Sequence, residues 1–394
     1  MINDLIENRL IEIYLQPIVS IKDKKIFAYE ALTRATDRYG EKISPLYLFE
    51  QAKKERLSCK LDDYVRELAL NKFQNYYEKD KSILLFLNFE SLIIENEMAN
   101  NFITVFYKYG IPARNIVIEI KEDKIKNTHA LKSFIDLYKK HDFFIAIDDF
   151  GTGYSSFDRL EFIQPDIVKV DRSLVYNVHN NFINSEILSA ISNMCHKIGA
   201  IVLAEGVEHR DEVLECIKKE IDIFQGFWFK KPEDEISESQ ILEIEKSIQY
   251  IGLKHKENIN SLIEKKKKLL ENSQELTQRV MSILEKEGIE HIEEIGELIS
   301  LNNKIQAIYV LDASNGVQIG KTVIHSDEKS LFKATKEGHD HSLRDYYFIA
   351  KESTRKDYLS TKYISKASGS MCRTYSARVN MKEINYIVCF DILD

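Results

Sequence analysis

The stretch "FFIAIDDFGTGYSS", residues 143–156, decides the fold class of this chain. A mostly apolar run, suited to a buried strand, leads directly into Asp148 and Asp149, and glycines then mark a turn. Two adjacent carboxylates repel each other, which raises the cost of ionising both. Because a positive group between them removes that cost, the pair at the end of the strand indicates a site for a cation.

Similar short runs rich in Ile, Val and Phe alternate with longer segments of helical periodicity. They lie at residues 26–32, 83–89, 116–120, 166–171, 200–208 and 222–229. Strands that alternate with helices are typical of a mainly parallel sheet. Seven or eight such units within residues 1–235 predict an α/β fold, a (β/α)8 barrel of the TIM type, since such barrels usually have about 250 residues.

The polar residues of these runs lie near their carboxyl ends. They are Glu30, Asn88, Glu119, Asp148, Asp149, Lys169, Asp171, Glu205 and Gln225. In a barrel of this type the carboxyl ends of the strands converge on one mouth, where catalytic groups collect. Each of these residues alone is more often a hydrogen-bonded structural residue. Their coincidence on separate strands favours a functional site.

Four carboxylates and one amide in this set offer only oxygen ligands, with no matching histidines or cysteines. They are Glu30, Asn88, Glu119, Asp148 and Asp149. Oxygen ligands select Mg²⁺ or Mn²⁺ over zinc. A pair of such ions about 3.5–4 Å apart is the recurrent solution for hydrolysing phosphoric esters, and adjacent aspartates can face both ions. Lys169 beside them is placed to orient the attacking water or to stabilise the transition state.

The composition is that of a globular protein. The chain has 394 residues, of which 44% are hydrophobic and 30% charged, enough for two cores. A net charge of −8 argues against a polymeric nucleic acid as partner. Five scattered cysteines without a CxxC pair indicate free thiols in a reducing compartment. With no apolar run near the roughly 20 residues that cross a bilayer, we expect a cytoplasmic protein without membrane insertion.

Two further segments follow the predicted barrel. Residues 236–290 lack proline and predict a helical connector, with a break at Gly252 and an end at Gly288. This helix either buries one stripe or also pairs with its symmetry mate in a homodimer. Residues 291–394 contain strands with turns and predict a smaller α+β domain.

The C-terminal segment resembles a PAS-like or Cache-like sensor domain. Arg344 with Tyr346 and Tyr347 carries this resemblance, together with the later "YLSTKYIS". Such a cluster can hold a small anionic ligand, and core packing with a surface ion pair is the alternative.

Six motifs of residues 1–235 resemble those of the EAL-domain phosphodiesterases. They are "YEALTR" (29–34), "IEIKED" (118–123), "AIDDFGTGYSSF" (146–157), "DIVKVDRSL" (166–174), "AEGVEHRDE" (204–212) and "QGFWFKKP" (225–232). The similarity covers roughly residues 5–235, with the motifs in the family's order. It implies a barrel with one antiparallel strand that hydrolyses cyclic di-GMP to linear pGpG.

The resemblance also implies a role for each matched position. The ligands of the first metal would be Glu30, Asn88, Glu119 and Asp148, and those of the second Asp149, the bridging Asp148 and the nearby Glu205. The catalytic residues would be Lys169, in contact with the nucleophilic water, and Glu205. The substrate contacts would be Gln16, Leu32, Arg34, Asp171 and Gln225. Glu122 would anchor the loop that follows Asp149.

Two residues depart from the family pattern. Glu90 stands in "NFE" where the family usually has Asn-x-Ser, and Lys121 lies between two glutamates where the family usually has Thr. Neither removes a ligand, but each lies beside one. We therefore expect them to affect metal affinity and turnover more than the fold.

The function predicted from these residues is metal-dependent hydrolysis of cyclic di-GMP, modulated by the C-terminal domain and inhibited by Ca²⁺. Two alternatives belong to other classes. One is a degenerate barrel that binds cyclic di-GMP as a receptor, and the other is a partner-binding protein in which the barrel is a scaffold. The complete set of acidic ligands favours the enzyme.

Overall fold

The structure is a computed structural model that describes residues 1–91, 94, 100–121, 127–152, 157–288, 295–296, 304–324, 334–365 and 369–393. The chain divides into two compact units, residues 1–258 and 259–394. The division predicted from the sequence, with boundaries after residues 235 and 290, stays a prediction. In the described part of the chain, no helix has the length and apolar character needed to cross a membrane.

Within the described residues of the first unit, eight strands close into a barrel. They are β1 (Ile11–Ser20), β2 (Lys25–Thr36), β4 (Leu84–Phe89), β5 (Ile116–Lys121), β6 (Phe144–Phe150), β7 (Ile167–Val170), β8 (Ile201–Ala204) and β9 (Ile223–Gln225), and the short β3 (Lys42–Ile43) extends the sheet beside β2. β1 is antiparallel to both of its neighbours, β2 and β9, whereas the six other neighbouring pairs are parallel. This arrangement confirms the predicted barrel.

Helices alternate with the strands of the first unit. They are α1 (Ile2–Glu7), α2 (Pro45–Lys54), α3 (Ser58–Lys79), α4 (Asn100–Phe106), α5 (Thr128–Lys140), α6 (Phe157–Ile163), α7 (Arg172–Val175), α8 (Phe182–Ile198) and α9 (Arg210–Lys218). Local sequence explains several boundaries. The Ser44 side chain accepts a hydrogen bond from the Tyr47 backbone N–H at the start of α2, and Gly199 ends α8 in the left-handed conformation.

The long helix α10 (Glu238–Glu287) has 50 residues. It continues through Gly252, so the predicted break is wrong: one glycine costs only about 1 kcal/mol relative to alanine, which the rest of a long helix offsets. Gly288, with a φ of 96°, follows the last residue of the helix and confirms the predicted end. The predicted apolar stripe is buried at Val280 and Leu284 but exposed around Leu262.

The second unit contains a separate antiparallel sheet. Its strands in the described residues are β10 (Ile305–Asp312), β11 (Gln318–Ile324), β12 (Asp357–Leu359), β13 (Tyr363–Ile364), β14 (Met371–Met381) and β15 (Ile384–Leu393), and helix α11 (Asp345–Glu352) packs against β14 and β12. Tyr347 of α11 is buried, and its hydroxyl donates to the Ala313 carbonyl over 3.1 Å. The PAS-like or Cache-like character of this unit stays a prediction.

Candidate functional site

A layer of apolar side chains inside the barrel explains how the site residues come together. Its members include Ile18, Ala28, Phe86, Val117, Ala146, Ile167, Leu203 and Ile223. Side chains alternate between the two faces of a strand, so a residue two positions along faces the same interior one layer nearer the mouth. On the seven parallel strands those residues are Glu30, Asn88, Glu119, Asp148, Lys169, Glu205 and Gln225. On the reversed strand β1 the equivalent residue precedes Ile18 by two and is Gln16.

Lys169 lies at the centre of this polar layer and is 1% exposed. Its Nζ lies 2.5 Å from Glu205 Oε1, 3.1 Å from Asp148 Oδ1 and 3.6 Å from Glu30 Oε2, and it also pairs with Glu119. Burial acts to lower the pKa of Lys169, but the four carboxylates outweigh it and raise that pKa well above its usual value. Lys169 therefore keeps its proton, and one ammonium faces four carboxylates.

The surroundings of Glu119 indicate whether the site suits a metal ion. Its carboxyl group is buried, and its pKa is raised well above the usual value by that burial and by Glu30, against the effect of Lys169. Its Oε2 atom accepts no hydrogen bond from the described residues. A buried carboxylate oxygen without a donor is costly, and a cation relieves that cost. A site whose ligand atoms are all oxygens, one of which accepts no hydrogen bond from the described residues, suits a hard divalent cation.

Glu30 is held in place by amide groups. Asn88 Nδ2 donates to Glu30 Oε1 over 3.1 Å, and Gln225 Nε2 donates to Glu30 Oε2 over 2.6 Å. Gln225 also donates to Gln16 Oε1 over 3.1 Å, and Gln16 Nε2 donates to the Lys230 carbonyl over 3.1 Å. These bonds fix the orientation of one predicted ligand and connect it to two predicted substrate contacts.

Asp148 and Asp149 both face the mouth because the backbone is irregular between them. The pairing of β6 with β7 shifts register between Ile147 and Phe150, and Asp149 has a φ of 59°. Left-handed backbone is strained for residues other than glycine and is found preferentially at functional sites. Carboxylate oxygens of Asp148, Asp149 and Glu205 lie within 4.8 Å of one another, close enough to share one ion.

Lys121 is a second ammonium group at this site. Its Nζ lies 2.8 Å from Asp149 Oδ2 and 3.6 Å from Asp148 Oδ2. Burial acts to lower the pKa of Lys121, and the two aspartates outweigh it and raise that pKa. For Asp148, burial acts to raise the pKa, but Lys169 and Lys121 together lower it.

Two clefts open beside these residues, one of about 720 Å³ and one of about 200 Å³. Glu30 and Asp148 line both clefts. The larger cleft is also lined by the predicted substrate contacts Leu32 and Arg34, and the smaller one by Gln16, Lys169, Glu205 and Gln225. Two of the predicted metal ligands, Glu30 and Asp148, therefore lie between the two clefts.

Two predicted residues are not brought into this group. The Asp171 carboxylate accepts a hydrogen bond of 2.8 Å from the Ser173 backbone N–H and caps α7, and among the described residues it lines neither cleft. Its role in substrate binding stays a prediction. Glu122, the predicted loop anchor, lies outside the described residues.

Asp62 and Arg66 on α3 were not predicted, although both line the larger cleft. They form a buried ion pair, and the Arg66 guanidinium lies 4.2 Å from the centre of the Phe89 ring. Burial raises the pKa of Asp62 to about 7, against the effect of Arg66. An acid and a base four residues apart, beside the apolar Leu61 and Val65, are the sequence signal that could have revealed the pair.

The comparisons with known proteins agree with this geometry. The family described as "EAL domain" matches residues 1–232. The "Uncharacterized EAL-domain containing protein YkuI" of Bacillus subtilis is 24% identical over 378 residues, 92% of this chain and 90% of its own length. The "Cyclic di-GMP phosphodiesterase PdeA" of Borreliella burgdorferi is 26% identical over 230 residues, and the match spans 58% of this chain but only 34% of that protein.

Solved structures share the fold. The crystal structure of Bacillus subtilis YkuI in complex with c-di-GMP and calcium has a TM-score of 0.81 at 23% identity, covering 100% of this chain and 99% of that one. Klebsiella pneumoniae BlrP1, in a calcium/cy-diGMP complex, has a TM-score of 0.52 at 26% identity, covering 57% of this chain and 56% of that one. The fold of YkuI therefore extends over both units of this chain.

Proposed function

This chain belongs to the EAL domain family, and from that premise we propose that it hydrolyses cyclic di-GMP to linear pGpG with Mg²⁺ or Mn²⁺. The observation that carries the proposal is the polar layer at the barrel mouth, where an oxygen-only ligand set includes a buried carboxylate oxygen that accepts no hydrogen bond from the described part of the chain. Relatives named as cyclic di-GMP phosphodiesterases support it, as does BlrP1, solved with cy-diGMP and either calcium or manganese.

The ligand set divides into two groups that share Asp148. Glu30, Asn88, Glu119 and Asp148 would hold one cation, and Asp148, Asp149 and Glu205 the other. When bound, such a pair of cations activates a water molecule and neutralises charge on the phosphoryl oxygens. Oxygen ligands also accept Ca²⁺, but this larger ion positions water poorly, so Ca²⁺ would inhibit.

The remaining site residues would bind and orient the reactants. Lys169 stays protonated and can donate a hydrogen bond to the attacking water. Arg34 lies at the larger cleft, where its Nη1 donates to the Thr33 carbonyl over 2.8 Å, and its planar guanidinium suits a bidentate phosphate contact. A cleft of about 720 Å³ is within the range of small-molecule sites and would take one end of the dinucleotide against Leu32. Gln16 lines the smaller cleft for the other end.

A receptor that binds cyclic di-GMP without cleaving it is the second candidate. Lys121 favours it, because an ammonium in contact with Asp148 and Asp149 opposes a divalent cation there. In either case we place regulation of the site in the second unit. We also propose that the chain forms a homodimer and that the second unit binds a small ligand. YkuI shares the fold of both units, so both properties can be compared with that protein.

The test is an assay of the purified full chain with cyclic di-GMP and Mg²⁺ or Mn²⁺. We expect linear pGpG by chromatography, loss of product in Glu30→Ala, normal rates in the exposed control Glu264→Ala, and inhibition by Ca²⁺. Tight binding of cyclic di-GMP without product would establish the receptor instead. If wild type neither binds nor cleaves the dinucleotide, both candidates are wrong.

A further inference from the structure

Lys121 reaches the site because of its position in β5. It is the last residue of that strand, and it pairs in register with Asp148 of the neighbouring β6. Glu119 lies two residues earlier and faces the barrel interior, so Lys121 faces the same side, one layer nearer the mouth. The strand pairing therefore brings this ammonium to the two adjacent aspartates.

The Lys121 ammonium occupies the space between two carboxylates assigned to the second cation. It lies 2.8 Å from Asp149 Oδ2, the distance of a charge-assisted hydrogen bond, and 3.6 Å from Asp148 Oδ2. The other oxygen of Asp148, Oδ1, lies 3.1 Å from Lys169 Nζ. Both oxygens of the shared aspartate thus face an ammonium group already.

The charge of the site leads to the same conclusion. The five carboxylates are Glu30, Glu119, Asp148, Asp149 and Glu205. With Lys169 alone they would carry a formal charge of −4, which two divalent cations neutralise. Lys121 reduces this charge to −3, so that the first divalent cation leaves −1 and a second one leaves +1. A second cation would therefore meet a net charge of −1, whereas a neutral residue at position 121 would leave −2, so Lys121 weakens the attraction and leaves the fully loaded site with an excess positive charge.

We propose that the Lys121 ammonium takes the place of the second divalent cation between Asp148 and Asp149, so that the free protein binds one divalent cation tightly and a second only weakly. This inference rests on the proposed function, because it concerns the same metal site. It makes Lys121 a determinant of metal stoichiometry, and it means that a second cation enters only when this side chain moves away from the aspartates.

The test is a titration of the full chain with Mn²⁺ in the absence of nucleotide. Binding is measured by calorimetry and, independently, by the electron paramagnetic resonance signal of free Mn²⁺. We expect one tight site in wild type and two in Lys121→Thr, with affinity at the second site raised at least tenfold. Lys121→Gln should behave like Lys121→Thr and serves if that variant does not fold. Lys121→Arg keeps the charge and should retain one tight site.

The matched control is Lys132→Thr, which removes an exposed lysine of α5 that forms a surface ion pair with Asp136. It should bind one Mn²⁺ tightly, like wild type. Two equally tight sites in wild type, unchanged stoichiometry in both neutral variants, or no Mn²⁺ binding in any protein would each overturn the inference. Hydrolysis of cyclic di-GMP, measured on the same preparations, separates the two proposals. Product with unchanged stoichiometry refutes only the role of Lys121, and the expected stoichiometries without product refute only hydrolysis.

Discussion

Each unit of the molecule buries a carboxylate, and the two are satisfied in different ways. Asp391 in the second unit is 3% exposed and accepts hydrogen bonds from the hydroxyls of Ser365 over 2.6 Å, Thr374 over 2.8 Å and Tyr363 over 3.0 Å. Glu119 in the barrel is equally buried but has an oxygen that no described residue satisfies. The first carboxylate is satisfied within the fold, whereas the second has an oxygen that we propose binds a cation.

Burial alone does not distinguish the two sites. It raises the pKa of Asp391, against the effect of the hydroxyl donors, and it raises the pKa of Glu119, against the effect of Lys169. What differs is the chemistry of the neighbours: neutral donors around Asp391, further carboxylates around Glu119. A buried acid surrounded by other acids is the stronger indication of a functional site.

The largest expected effect comes from Glu119→Gln, which keeps the shape of the side chain and removes its charge. We expect the rate of cyclic di-GMP hydrolysis to fall by roughly 100-fold or more, because a proposed ligand of the first cation is lost. The metal-free barrel should be no less stable than wild type, because a neutral amide no longer repels Glu30 and Asp148. Product formation and thermal melting in a chelator measure the two quantities.

Asp391→Asn is the matched control for this variant, since it makes the equivalent change in the second unit. It should leave the hydrolysis rate within a few-fold of wild type while lowering thermal stability. A Glu119→Gln protein that retains full activity, or that melts well below wild type without metal, would contradict the distinction between the two sites.

The next largest effect that we expect is a loss of stability of the second unit in Asp391→Ala. Asp391→Ala would leave several buried hydroxyls without their acceptor, so the free energy of unfolding of the second unit should fall by about 2–4 kcal/mol. Chemical denaturation followed by tyrosine fluorescence measures this change. Mn²⁺ binding by the barrel should be unchanged. If Mn²⁺ affinity falls together with stability, the two carboxylate sites are not independent.

The sequence was sufficient to predict the barrel and most of its polar layer, because each apolar run has a polar residue near its carboxyl end. Strand β1 was not among the predicted runs, and it contains Pro17, a residue that normally argues against a strand. The predicted break at Gly252 was wrong because a propensity of about 1 kcal/mol is small beside the rest of a long helix.

Contacts that depend on pairing between distant segments could not be predicted. The substitution at Lys121 was visible in the sequence, but its position between two aspartates follows from the register of β5 against β6. The left-handed backbone at Asp149 and the donors of Asp391, which come from several segments of the second unit, likewise depend on long-range pairing. Spacing along the chain carries no record of these registers.

The smallest effect concerns pH, and it extends the comparison to a buried base. His341 in the second unit is 4% exposed, accepts a hydrogen bond at Nδ1 from the Tyr346 hydroxyl over 2.7 Å and donates from Nε2 to Gln318 Oε1 over 3.2 Å. These contacts use the neutral ring. Burial lowers the pKa of His341 to about 4, with smaller contributions in the same direction from His339 and Arg344 and an opposing one from Asp340.

Because this folded-state pKa lies below the unfolded value of 6.5, the unfolded chain binds the proton more tightly. The stability contributed by neutral His341 is therefore fully present above pH 6.5 and is lost as the pH falls toward 4. We expect a loss of about 1–2 kcal/mol, allowing for solvent screening, measured as the pH dependence of the unfolding midpoint of the second unit. Wild type should lose more stability between pH 7 and pH 4.5 than His341→Gln, which cannot titrate at this position. Equal losses in the two proteins would show that protonation of His341 does not destabilise the second unit. The buried polar site of this unit would then not differ from the barrel mouth in excluding charge.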